Sequence, residues 1–185
     1  VNEYHKTSQE INKEYEDVRA SQSDHRMFSV LYERYYEQIF VFIWRRTGDE
    51  DLTADICQQA FLKAMMNIGK FTFRGLPFSA WLYRIALNEM NMHFRKTKRE
   101  REISIEETDA SRLATEMGED DNEERLALLL NNITKLLPEE SQLLELRFFE
   151  KRSFGEIGVI LAITENNAKV RTYRVIDKLK NLMKV

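Results

Sequence analysis

Apolar residues recur every three or four positions along most of the chain, the spacing of helices that each bury one face. From Phe28 the pattern tightens, with Leu31, Tyr35, Ile39, Phe42 and Ile43 on one helical face that ends near Gly48 in the Thr47-Gly48-Asp49 turn. A second helix is predicted from Asp51 to Ile68, with Leu52, Ile56, Ala60, Phe61, Ala64 and Met65 inward, Asp55, Gln58, Gln59 and Lys63 outward, and Gly69 closing it. A third runs from Phe78 to Arg101, burying Phe78, Trp81, Leu82 and Ile85. Its other side and its end gather Arg84, Asn88, Asn91, Arg95, Lys96, Lys98, Arg99 and Arg101. Helical spacing returns with Leu126, Leu129, Leu130, Ile133, Leu136 and Leu137, breaks at Pro138, and resumes through Leu143, Leu144, Leu146 and Phe149. Residues 153 to 183 read as two short helices joined by a tight turn, the first opened by a capping box from Ser153 to Glu156. In the second, Ala168, Thr172, Val175, Ile176, Leu179 and Met183 form the inward stripe. Residues 1 to 25 are polar, with Tyr4, Ile11, Tyr15 and Val18 spaced as a weak amphipathic helix, and are read as either a flexible extension or a short docking helix, without an assigned role.

Composition narrows the class. Only six glycines and two prolines, with no convincing strand pattern, predict an all-α fold. The expected architecture is two small helical domains, 26–101 and 125–185, the second a four-helix unit. Between them, 102–124 carries Glu106, Glu107, Asp109, Glu116, Glu119, Asp120, Asp121 and Glu123 with little apolar periodicity, and reads as an acidic linker. The net charge of −3 gives no hint of nucleic acid, but acid and base are segregated along the chain, and that segregation does.

The final helix pair is a helix-turn-helix with a basic outer face, which points to DNA. In such a motif the start of the second helix meets base edges, so Asn166, Asn167, Val170 and Arg171 are placed to read sequence, and Arg174 and Lys178 to touch phosphates. The loop Gly69 to Pro77 sets Phe71 and Phe73 beside Lys70 and Arg74, a pattern suited to stacked bases and phosphates. The spacing leaves open whether one or both phenylalanines instead anchor the loop to the core. Some of the charge ending the Phe78 to Arg101 helix simply suits the negative pole of its dipole.

Catalytic chemistry finds no support. His5, His25 and His93 lack partners at metal-ligand spacing, Cys57 stands alone inside a helix, and there is no glycine-rich phosphate loop, so neither metal nor cofactor is expected. A lone cysteine excludes an intramolecular disulfide, no segment has the apolar length of a membrane span, and no signal-peptide pattern is present. The cytoplasm is the expected compartment.

Three runs, Asp55-Ile-Cys-Gln-Gln-Ala-Phe-Leu-Lys-Ala64, Phe78-Ser-Ala-Trp-Leu-Tyr-Arg-Ile-Ala-Leu-Asn88 and Leu137-Pro-Glu-Glu-Ser141, precede the helix-turn-helix in an order that resembles bacterial RNA polymerase sigma factors of the extracytoplasmic-function class. The resemblance covers roughly Phe28 to Met183. It implies a non-catalytic initiation factor whose partners are core RNA polymerase, promoter DNA and an anti-sigma factor. It implies that Asp55, Gln58, Gln59 and Lys63 meet the polymerase. Lys70, Phe71, Phe73, Arg74, Arg84, Asn88, Asn91 and Arg95 would capture the promoter element that melts, and Asn166, Asn167, Lys169, Val170, Arg171, Arg174 and Lys178 would read the distal element as duplex. Asn166-Asn167-Ala168 and Gly158 depart from the residues common in the family, so promoter specificity would be this chain's own. The remaining alternatives are a free-standing helix-turn-helix regulator and a sigma-like adaptor that engages polymerase without using DNA.

Overall fold

A computed structural model describes residues 6–97, 107–118 and 122–184, and all regular structure among them is helical. The chain divides into two compact units, Val1–Glu102 with Val159–Ala162, and Ile103–Gly158 with Ile163–Val185.

The first unit opens with α1, Ser8–Ser23, capped by a reciprocal box in which Thr7 and Glu10 each satisfy the other's backbone N–H. Of the two expectations for this stretch, a flexible extension or a docking helix, the helix holds: α1 packs against α2 and α4 and belongs to the unit. Its pattern was faint because its buried face includes Glu14 and Ser21 beside Val18. Tyr4 lies outside the described residues. Helix α2, Ser29–Thr47, buries Leu31, Tyr35, Ile39, Phe42 and Ile43 as expected, and stops at Gly48 in the left-handed conformation (φ 58°) that only glycine adopts without penalty. Helix α3, Glu50–Asn67, buries Ile56, Ala60, Phe61 and Ala64, while Leu52 and Met65 are only half-buried. Gly69 is not a left-handed cap: the helix tightens into the 3-10 turn Ile68–Lys70 that contains it.

Helix α4, Phe78–Thr97, ends within the expected span, and residues 98–101 lie outside the described ones. Its buried stripe is rotated from the expected one. Leu82, Tyr83, Ala86, Met90 and Phe94 are buried, while Trp81 and Ile85 are half-exposed. The rotation is fixed by α2 and α3, which pack on this side and set Phe42 against Tyr83 with ring centroids 4.6 Å apart.

In the second unit, part of the expected linker is a helix. Helix α5, Glu107–Met117, buries Ala110, Leu113, Ala114 and Met117 and packs on α6, Glu123–Ile133. Those four positions have helical spacing, but two are alanines amid acid, so their apolar signal was weak. Helix α5 thus stands before the four α-helices expected over 125–185. Pro138 opens α7, Pro138–Leu144, at the first helical turn, where its missing N–H costs nothing. The helix widens into a π-helical turn, Glu145–Phe149, closed by the Glu150 N–H on the Glu145 carbonyl at 2.8 Å. Helices α8, Phe154–Leu161, and α9, Glu165–Leu182, follow, with α9 packed on α6 and α7.

Candidate nucleic-acid interface

The α8–α9 pair is set by its termini. The Ser153 hydroxyl accepts the Glu156 N–H (3.2 Å) and the Glu156 carboxylate accepts the Ser153 N–H (2.9 Å), which is the expected box. Helix α8 ends with Ala162 at φ 57° and the Ile163 N–H returning to the Gly158 carbonyl at 2.9 Å, so three residues suffice for the turn. Thr164 then caps α9, accepting the Asn167 N–H at 3.2 Å. All six residues of the predicted inward stripe, Ala168 to Met183, are buried. Asn166, Lys169, Val170, Arg171 and Arg174 are consequently exposed together, while Asn167 is half-buried.

Lys178 behaves differently. Its ammonium is held by Glu140 of α7 at 2.6 Å, so part of its charge is already neutralised. Burial alone would raise the Glu140 carboxyl. The hydrogen bonds from Lys178 and from the Leu137 N–H outweigh that and hold it below the usual carboxylate range. Tyr173, 44% exposed, shares the exposed side of α9 with Asn166 and Val170, its ring 6.0 Å from that of Phe154. The sequence reading assigned it no role, although its seven-residue step from Asn166 was the available signal.

On α4, Arg84, Asn88 and Arg95 are exposed and Asn91 is half-buried. The steps between them are four, three and four residues, so they form one polar face. The adjoining loop is less open than its composition implied. Phe71 sits edge-on to Phe78 and Trp81, with centroids 5.4 and 5.5 Å away, and Phe73 stacks on Tyr15 at 4.4 Å and 18°. Both phenylalanines are half-buried and engaged with the unit's own rings, which favours the anchoring role for them. Arg74 and Lys70 are exposed, the latter bonded to Asn67 at 2.9 Å.

On α3, Asp55, Gln58 and Gln59 are exposed, whereas Lys63 donates to both carboxylate oxygens of Glu89 on α4 at 2.7 Å. Leu62 and Met66 complete this face, 43% and 69% exposed. The sequence reading passed over them, though both fall outside the inward stripe of α3. Exposed apolar side chains flanked by amides and a carboxylate are a surface suited to protein contact. Cys57 is fully buried in the same helix, and burial pushes its thiol up to about 12, so at neutral pH it is protonated and inert. Among the described residues no group of three His, Cys, Asp or Glu side chains could hold a metal, and no helix is long and apolar enough to cross a membrane.

Residues 31–100 match the family described as Sigma-70 region 2, and residues 133–181 match Sigma-70, region 4. The chain is 29% identical over 167 residues to the ECF RNA polymerase sigma factor BldN of Streptomyces coelicolor, covering 89% of this chain but only 63% of that relative's length. It is 28% identical over 184 residues to the ECF RNA polymerase sigma factor SigW of Bacillus subtilis, covering 94% of this chain and 97% of that one. In fold it is similar to CnrH, solved in complex with the cytosolic domain of CnrY, with a TM-score of 0.60 and 21% identity over 92% of this chain and 96% of that one. The two matched sigma-70 regions, carried by helical units with polar or basic exposed faces, define a protein of the sigma-factor class. The chain belongs to the sigma-70 family, in its extracytoplasmic-function class.

Proposed function

We propose that this chain binds core RNA polymerase in the cytoplasm and directs it to specific promoters, dividing recognition between its two units. The observation that carries this reading is the face of α9, where cations and amides stand exposed over a wholly buried apolar stripe, within the match to Sigma-70, region 4. Helices α8 and α9 act as a helix-turn-helix. Asn166, Asn167, Lys169, Val170 and Arg171 meet base edges of the distal element, and Arg174 meets phosphate. The exposed face of α3, Asp55, Gln58 and Gln59 with Leu62 and Met66, docks on the polymerase, while Lys63 works through its pair with Glu89. The loop Lys70 to Arg74 and the α4 face Arg84, Asn88, Asn91 and Arg95 receive the melted element. An unstacked base there finds its apolar wall in the ring cluster of Phe71 and Trp81, since base–aromatic contact offsets unstacking by ~1–3 kcal/mol. An anti-sigma protein holds the factor inactive until it is needed. The chain itself is not a catalyst; the polymerase does the chemistry.

Transcription in vitro with purified core polymerase on fragmented bacterial DNA tests this. Discrete new starts sharing two spaced upstream motifs are expected. Arg171→Ala should relax promoter selectivity with polymerase affinity intact, and the Gln58→Ala, Gln59→Ala double variant should do the reverse. No polymerase binding by the unaltered chain would sink the reading in favour of a free-standing regulator.

A further inference from the structure

Between Phe71 and Pro77 the chain has neither helix nor strand, yet this loop must present a defined surface if it is to hold an unpaired base. Much of its order comes from α1, which the sequence marks only as a weak amphipathic helix without a role and which lies before the family match at 31–100. Three residues of α1 grip the loop at its start, middle and end. The Gln22 amide donates to the carbonyls of Ile68 and Phe71, at 3.0 and 3.1 Å. Tyr15 stacks on Phe73. The Glu14 carboxylate, only 3% exposed, accepts the Phe78 N–H at 2.7 Å and so caps α4 from a residue 64 positions away. Lys6 and its contact with Tyr35 secure that carboxylate in turn.

Val18, buried at 1% exposure, lies between these contacts on the same face of α1, so the helix is fixed by packing before it positions anything. Each contact restricts a different part of the loop: the carbonyls of the preceding turn and of the loop's first residue, one aromatic ring, and the first amide of α4. Losing one would leave the fold standing but let the loop sample other shapes. Affinity for a ligand of the loop falls in proportion to the fraction of chains holding the competent shape.

We propose that α1 is the buttress of the strand-capturing loop, with Gln22 and Tyr15 as positioning residues for promoter opening. This rests on the reading that the loop and α4 receive the melted strand. The test uses the full chain with core polymerase and four readouts: polymerase affinity, binding to duplex promoter, capture of a single-stranded oligonucleotide carrying the melted element, and opening rate followed by a fluorescent base analogue. Gln22→Met removes the two donated bonds and keeps side-chain length; Tyr15→Leu removes the stack, and Tyr15→Phe keeps it. Gln22→Met and Tyr15→Leu are expected to weaken oligonucleotide capture and slow opening by about tenfold, as when the competent fraction falls to a tenth. Polymerase and duplex binding should hold, and Tyr15→Phe should restore wild-type behaviour. Unchanged capture in both variants, or capture lost only in step with polymerase binding and melting temperature, overturns the proposal. Asn88→Ala separates the two layers of inference. If it weakens capture while the α1 variants do not, the buttress alone is wrong; if it too is silent, the strand-capture reading fails with it.

Discussion

Gly158 and Ala162 together shape the α8–α9 turn, and they carry opposite constraints. A Cβ on Gly158 would stand 2.9 Å from the Ile163 carbonyl oxygen and 3.2 Å from the Glu165 nitrogen, both backbone atoms that cannot swing aside. Gly158→Ala should therefore push α9 off its seat, costing about 1–3 kcal/mol in urea unfolding and weakening distal-element binding more than polymerase binding. Ala162 already bears a side chain at φ 57°, where glycine is preferred at the helix end. Ala162→Gly should raise stability by about 0.5–1 kcal/mol in the same assay with DNA binding unchanged. A glycine at 158 was visible in the sequence as a departure from the family; the reason for it, a close crossing of backbone, was not.

At the scale of elements, α7 and α9 are joined by Glu140 and Lys178, residues 38 positions apart. Glu140→Gln would release the Lys178 ammonium toward phosphate. Duplex binding should strengthen at low salt, and its salt dependence should steepen by about 0.9 in the logarithmic slope, the value of one added phosphate contact. The pair also gives stability a pH dependence. Because the folded carboxyl lies below its ordinary value, the pair stabilises fully above the ordinary carboxylate range and ceases to as pH falls through that lowered value. Urea midpoints of wild type and Glu140→Gln should thus converge on acidification, and a gap constant with pH would argue against the pair.

For the whole molecule, 28 basic against 31 acidic residues imply weak attraction to DNA, while their placement implies the opposite. Arg84, Arg95, Lys169, Arg171 and Arg174 are exposed on two faces, and the acid runs lie elsewhere in the chain. Promoter binding by the polymerase complex should fall steeply with salt despite the net negative charge. Arg174→Ala should flatten the slope by about 0.9 equally across promoter sequences, whereas Arg171→Ala should also change which sequences are preferred. A slope unaltered by Arg174→Ala would remove that residue from the phosphate contacts.

What the sequence determined by itself was local. The α9 stripe, the α2 face, the Ser153–Glu156 box and the outward amides of α3 were all legible because helix period and capping act within a few residues. The resemblance to a family added the division of labour. Only the tertiary structure decided how α1 joins the first unit, why α4 turns Tyr83 inward and leaves Trp81 at the edge, and that α5 is a packed helix where acid suggested a tether. It also decided which candidate groups are engaged: Phe73 by Tyr15, Lys63 by Glu89 and Lys178 by Glu140. Each of those depends on a partner 26 to 58 positions away in the chain, beyond any periodic pattern, because packing brings such residues together only once the helices that carry them have formed.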